Sequence, residues 1–341
     1  MTWRVTLCLL PAAGWGVFLF GLPAVLVLAT SVGVAVAAEL LSSLAFRRCT
    51  LGDGSAFLTG LLIGLLMPPG VPLYVPSAAS VFAILVVKQS FGGLGRNWMN
   101  PALGGFVFAL LSWGGAMTRW AAARGAPMSP ALPPLEALRS ALAATGAAGG
   151  SPLAILEKAG YPFSAVDASV VAWINTHVLL PLGTALRPGV FDLLTGHLAG
   201  RIGEVSAPLL LAGAGYLLAR RIVRWEVPVL YIGTFGVLAG VFGGLSSGQG
   251  WLAGGPGFHI LSGSLILGAF FMAGDPVTSP MTLTGRRIYG IGLGFLTFLL
   301  RFYGSLGDGV AVAILLGNCA VPLLDRLMRR RVPASARGGI E

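Results

Sequence analysis

Asp53–Pro69 reads DGSAFLTGLLIGLLMPP. Between an acidic, Gly-containing opening and a Pro-Pro close lies an unbroken apolar run, short for a helix that must cross a bilayer with about 20 residues. The run Leu58-Thr59-Gly60 to Met67-Pro68-Pro69 recurs loosely as Leu261-Ser262-Gly263 to Met272 and Pro276, and Phe91-Gly92-Gly93-Leu94-Gly95 recurs as Tyr303-Gly304-Ser305-Leu306-Gly307. Short, interrupted apolar segments at corresponding places in two halves mark a central site in inverted-repeat membrane proteins. Irregular backbone at that depth persists only where protein or a polar cavity satisfies its hydrogen bonds. The alternative is a set of ordinary tilted helices with glycine packing faces.

Around these two segments the chain keeps the same character. Of 341 residues, 55% are apolar, 10% are charged and 51 are glycine, with a mean hydropathy of +0.85. That composition excludes a disordered chain, a nucleic-acid-binding domain and an ordinary soluble enzyme. The apolar runs are continuous rather than alternating, which excludes a transmembrane barrel. Further apolar segments lie near 5–20, 23–46, 71–91, 101–116, 207–223, 227–243, 288–303 and 309–328. With 55–67 and 257–273 they make ten. The expected fold is an all-α polytopic membrane protein of about ten transmembrane helices in two inverted five-helix repeats with half-spanning segments. The first apolar stretch is far longer than the core of a signal peptide.

The basic residues orient it. Arg47 and Arg48, Lys88 and Arg96, Arg220, Arg221 and Arg224, and Arg286 and Arg287 fall in alternate connections, with Arg326, Arg329, Arg330, Arg331 and Arg337 near the C-terminus. Cationic connections stay cytoplasmic, so both termini are expected there, with membrane lipid rather than nucleic acid as the partner of the +10 net charge. Arg301 is the exception on the outer side. The chain divides into a first membrane repeat (1–116), an extracytoplasmic loop region (117–206), a second repeat (207–328) and a basic cytoplasmic tail (329–341). A connection as long as 117–206 is functional or partly disordered.

Few groups offer chemistry. Cys8, Cys49 and Cys319 are far apart and His177, His197 and His259 fit no ligand spacing, so no metal site is expected. Asp53 and Asp308 precede apolar segments and read as helix caps. Asp275, in Gly274-Asp275-Pro276-Val277-Thr278-Ser279-Pro280, reads either as a cation or proton site or as a turn residue. Asn100-Pro101 suits a helix N-terminus.

These residues carry a resemblance. Asp53-Gly54-Ser55 through Pro69, Lys88-Gln89-Ser90-Phe91-Gly92-Gly93-Leu94-Gly95-Arg96-Asn97, Asn100-Pro101-Ala102, Gly200-Arg201-Ile202-Gly203-Glu204-Val205-Ser206, Gly274 to Pro280 with Gly285-Arg286, and Gly307-Asp308-Gly309 stand in an order that resembles the RnfD family of the Rnf electron-transport complex. That family is paralogous to the NqrB subunit of the sodium-translocating NADH:quinone reductase. The resemblance implies a subunit of a redox-driven ion translocase in the bacterial inner membrane, beside flavoprotein and iron–sulfur subunits. It implies FMN, and leaves room for a second flavin, with Asn100, Glu204 and Asp275 among the cofactor-binding residues. The family links FMN through its phosphate to a Thr in a Ser/Thr-Gly-Ala-Thr motif, often followed by Pro-Leu-Ala. Here the stretch is Thr145-Gly146-Ala147-Ala148-Gly149-Gly150-Ser151-Pro152-Leu153-Ala154. Ala148 has no hydroxyl and a phosphoester needs one, so covalent FMN falls to Ser151, whose other reading is a capping serine. Two alternatives accompany this one: a small-solute channel of urea-transporter-like architecture, and a flavin-less scaffold protein within the complex.

Overall fold

The computed structural model describes residues 1–46, 51–93, 95–124, 132–145, 150–245, 250–305 and 307–328. Arg47, Arg48, Cys49, Leu94, the 146–149 part of the flavin-motif stretch, Leu306 and the basic tail 329–341 lie outside the described residues. Every described element is helical. The first half holds α1 (Thr2–Phe20), α2 (Leu22–Phe46), α3 (Ser55–Leu66), α4 (Tyr74–Val81, continuing as a π-helical turn over Phe82–Gln89) and α5 (Pro101–Ser112). The region between the halves holds α6 (Pro134–Thr145), α7 (Pro152–Lys158), α8 (Ala165–Ile174) and α9 (Val190–Thr195). The second half holds α10 (Ala207–Ala219), α11 (Glu226–Phe242), α12 (Pro256–Leu261), α13 (Leu265–Leu267, continuing as a π-helical turn over Gly268–Met272), α14 (Leu283–Tyr303) and α15 (Val310–Met328).

All ten expected apolar segments are helical, and the fold is that of an all-α polytopic membrane protein. Among the described residues three helices, α1, α2 and α15, are long and apolar enough to cross a bilayer by length and composition. The segment expected at 257–273 is two helices, broken at Ser262-Gly263-Ser264, where Ser262 is extended and Gly263 takes φ +81°. Neighbour relations repeat between the halves. α2 packs on α3 and α4, as α11 packs on α12 and α14; α4 packs on α5, as α14 packs on α15. Across the halves, α1 meets α10 and α5 meets α15.

Glycine sets the closest approaches. A Cβ on Gly60 would lie 2.6 Å from the Val32 Cα, and one on Gly64 would lie 2.8 Å from the Leu28 side chain. Two missing side chains four residues apart let the α3 backbone lie directly on α2. Pro68 and Pro69 then end α3, because proline has no amide hydrogen to continue the ladder. The carbonyls this leaves open are closed from a distant stretch: Ile202 N–H donates to Met67 O at 3.1 Å and Gly203 N–H to Leu65 O at 2.7 Å. Residues 198–203 are buried and non-helical. They form a strap whose polar backbone is tolerated because the tip of α3 consumes part of it.

The 117–206 region is more ordered than a loop reading implies. Its helices α6, α7 and α9 share a small core with Leu138, Ile155, Leu156 and Leu193 buried around Phe258 of α12. Two buried carboxylates pin its turns. Asp167 accepts from the Gly189 and Phe191 amides at 2.7 and 2.9 Å, and Asp192 accepts from the Ser164 amide at 2.7 Å and its hydroxyl at 2.5 Å. Burial pushes the Asp192 carboxyl above its ordinary range, against the downward pull of the Ser164 hydrogen bonds.

Candidate functional site

Two of the cavities among the described residues lie at opposite ends of the bundle. The larger, about 480 Å³, opens between the halves where α3 and α5 begin and α4, α10 and α13 end. Its walls include Trp3, Asp53, Ser55, Lys88, Asn97, Asn100, Phe270, Phe271 and Asp275. Asn100 and Asp275, expected from the sequence as site residues, are therefore brought to one chamber. Asn100 also caps α5, its side-chain oxygen accepting from the Ala102 amide at 3.0 Å, with Pro101 at the first helical position. The Asp275 carboxylate accepts from the Val277 amide at 3.2 Å across Pro276. It is both a turn residue and a chamber wall.

Beneath the chamber runs a buried polar chain. Lys88 Nζ donates to both carboxylate oxygens of Glu39 at 2.6 and 2.8 Å and to the Ser55 hydroxyl, which in turn donates to Asp53. The Asp53 carboxylate also accepts from the Ser55 amide at 2.7 Å; it stands one residue before the N-cap position of α3, which is Gly54. The reading of Lys88 as a loop cation does not: it is 1% exposed, and desolvation requires a buried ammonium to find a carboxylate. Sequence distance hid this pair, because Glu39 and Lys88 are 49 residues apart.

The opposite end centres on the α12–α13 break. Asp308 does not cap its own helix, contrary to its sequence reading. Its carboxylate instead accepts from the Ser264 amide at 2.8 Å and the Ser264 hydroxyl, and pairs with Arg201 at 3.1 Å. Arg301, the outer-side exception, is 2% exposed. Its guanidinium donates to the carbonyls of Asp308 (3.0 Å), Ser262 (3.3 Å) and His259. A broken helix inside a membrane protein leaves orphan amides and carbonyls, and here charged side chains satisfy them. Glu204 belongs to this cluster and not to the chamber of Asn100 and Asp275: it holds Arg201, with one oxygen 3.3 Å from the guanidinium and the other accepting from the Arg201 amide at 3.2 Å. Arg201 also lies over the Phe106 ring, 5.0 Å from its centroid, and so ties α5 to the second half.

Beside this cluster is the second cavity, about 210 Å³, lined by Arg139, Pro152, His259, Arg301 and Phe302 among others. Ser151 does not line it but directly precedes Pro152, which does. Its hydroxyl accepts from the Ala154 amide at a long 3.4 Å and caps α7. His259 Nδ1 and one terminal nitrogen of Arg301 are buried without a hydrogen-bond partner among the described residues. Unpaired buried polar atoms of this kind each cost about 1–3 kcal/mol. A bound anionic group with acceptor atoms would satisfy both. Among the described residues no cluster of His, Cys, Asp or Glu has the make-up of a metal site.

The family model described as NQR2, RnfD, RnfE matches residues 1–333. The chain belongs to this family. Curated relatives agree along the whole length. The D subunit of a proton-translocating ferredoxin:NAD(+) oxidoreductase complex from Clostridium ljungdahlii is 38% identical over 95% of this chain and 88% of the relative. The D subunit of an ion-translocating oxidoreductase complex from Stutzerimonas stutzeri is 38% identical over 98% and 92%. The D subunit of a Na(+)-translocating ferredoxin:NAD(+) oxidoreductase complex from Acetobacterium woodii is 36% identical over 96% and 88%. The resemblance seen in the sequence motifs is thus borne out.

Proposed function

We propose that this chain is the membrane-embedded RnfD component of an Rnf-type complex in the bacterial inner membrane, coupling electron transfer to ion movement. Similarity to relatives named as that component, spanning 95–98% of the chain, carries the reading. Its neighbours would be the flavoprotein and iron–sulfur subunits of such a complex. Relatives named for a proton and for sodium are almost equally similar, at 38% and 36%, so the ion is assigned by uptake measurements. Both termini would lie in the cytoplasm, a reading supported by the basic connections that hold the exposed Arg220, Arg221, Arg224 and Arg287.

FMN, esterified through its phosphate to Ser151, would carry electrons; the protein supplies orientation and electrostatics. Arg139, His259 and Arg301 would hold it, the two arginines balancing its negative charge and Phe302 presenting a ring face. Glu204 acts here through Arg201, which it positions, rather than on the cofactor. The 480 Å³ chamber, with two asparagines, Asp275 and aromatic walls, suits a second, non-covalent flavin.

The test is expression of the full chain with the host's flavin transferase. In-gel fluorescence and a mass increment of FMN on the tryptic peptide 140–158, both lost in Ser151→Ala, support the assignment. An unmodified peptide from a complex active in ferredoxin- or NADH-driven ion uptake removes the covalent flavin from the reading. Solute flux through liposomes holding the chain alone would instead favour the channel.

A further inference from the structure

We propose that a basic pocket at the junction of α10, α11 and α14 holds the phosphate of an anionic phospholipid headgroup. The proposal requires the chain to be membrane-embedded. It does not depend on which side of the membrane this end occupies, or on the flavin assignments. The pocket, about 250 Å³, is lined by Ile222, Arg224, Val227, Pro280, Met281 and Arg286. It backs onto the 480 Å³ chamber, with which it shares Gly274 and Pro276, and shares no residue with the cluster of Arg201, Arg301 and Asp308.

Arg286 points to a ligand. It is 6% exposed, and its Nε is buried without a hydrogen-bond partner among the described residues. It has a carboxylate nearby, Glu226, but the closest approach is 3.9 Å, too long for a hydrogen bond. A guanidinium taken out of water with an open N–H is costly. A phosphate oxygen entering the pocket would meet a planar fork suited to bidentate contact, with the exposed Arg224 on the other wall.

The surroundings favour a lipid as the source. Arg220, Arg221 and Arg287 are exposed and stand one or two residues along the chain from the lining residues Ile222 and Arg286, while the carboxylates nearby are Glu226, Asp275 between the lining residues Gly274 and Pro276, and Asp325, which accepts from the Met281 amide at 3.0 Å. The rim therefore carries excess positive charge, which attracts anionic headgroups. Trp225, 58% exposed, stands beside it, as tryptophans do at membrane–water boundaries. At the mouth Met281 is 77% exposed, an apolar side chain that an acyl chain covers and a soluble phosphate does not.

Native mass spectrometry of the full chain, titrated with phosphatidylglycerol or phosphatidylcholine in detergent, tests this. Phosphatidylglycerol is expected to bind at least about tenfold more tightly, and Arg224→Gln and Arg286→Gln each to remove most of that preference, as loss of a charge-assisted contact does. Arg286→Lys, which keeps the charge without the fork, should fall between. Arg224 is exposed, so Arg224→Gln decides the matter even if Arg286→Gln fails to fold. Equal binding of the two lipids, or a preference that survives in Arg224→Gln, overturns the proposal. So does displacement of bound phosphatidylglycerol by millimolar orthophosphate with the same arginine dependence, which would assign the pocket to a soluble phosphate.

Discussion

Replacing Lys88 by methionine should destabilise the first half of the membrane domain far more than a change at a connecting loop could. Lys88 is 1% and Glu39 0% exposed, and two hydrogen bonds of 2.6 and 2.8 Å join them. Methionine fills the space of the lysine stem but removes the Lys88 ammonium from the buried Glu39 carboxylate. Breaking one member of a buried pair costs about 3–5 kcal/mol, whereas replacing both members by uncharged groups of similar volume is often nearly neutral. Lys88→Met alone should therefore lower the melting temperature by about 6–10 °C, taking about 2 °C per kcal/mol for a large domain. Adding Glu39→Gln should restore at least half of the loss, because no buried charge then remains at the pair. The assay is fluorescence-detected size exclusion of detergent-solubilised protein after heating. It reports the monodisperse fraction against temperature for the parent, both single variants and the double variant. If Lys88→Met melts as late as the parent, or the double variant is no more stable than the worse single, the two charges are not an energetic unit and the reasoning fails.

Three further outcomes follow from the same geometry. Gly203→Ala should cost about 1–3 kcal/mol as overpacking, since its Cβ would lie 2.7 Å from the Leu65 Cβ and 2.9 Å from the Leu65 carbonyl; the same heating assay checks it, with Gly292→Ala, which meets nothing within 4 Å, as an unaffected control. Asp275→Asn should impair coupled electron transfer or ion uptake in membrane vesicles while assembly stays normal; full activity with normal assembly would leave Asp275 a turn residue only. Cysteines placed singly at the exposed positions 160 and 287 should be labelled by a membrane-impermeant reagent from the outside at 160 alone, and labelling at 287 but not at 160 would reverse the orientation.

Much of this protein is local in origin and so legible in the sequence. Unbroken apolar runs require helices, because only internal backbone pairing survives in lipid. Proline at 68 and 69 ends α3, and Asn100-Pro101 begins α5, through bonds that reach only two or three residues along the chain. The family motifs are likewise read in order. What the tertiary structure alone decided is which charges meet. Lys88 looked like a loop cation and is the buried partner of Glu39; Asp308 looked like a cap and closes a helix break 44 residues away; Glu204, grouped with Asn100 and Asp275 as a site residue, lies with Arg201 at the other end. The strap at 198–203 becomes buried only because the tip of α3 offers it two carbonyls. Those pairings depend on how helices stack, and stacking depends on every glycine contact at once. A buried charge takes whichever opposite partner the packed chain brings within about 3 Å, and linear spacing carries no trace of that choice.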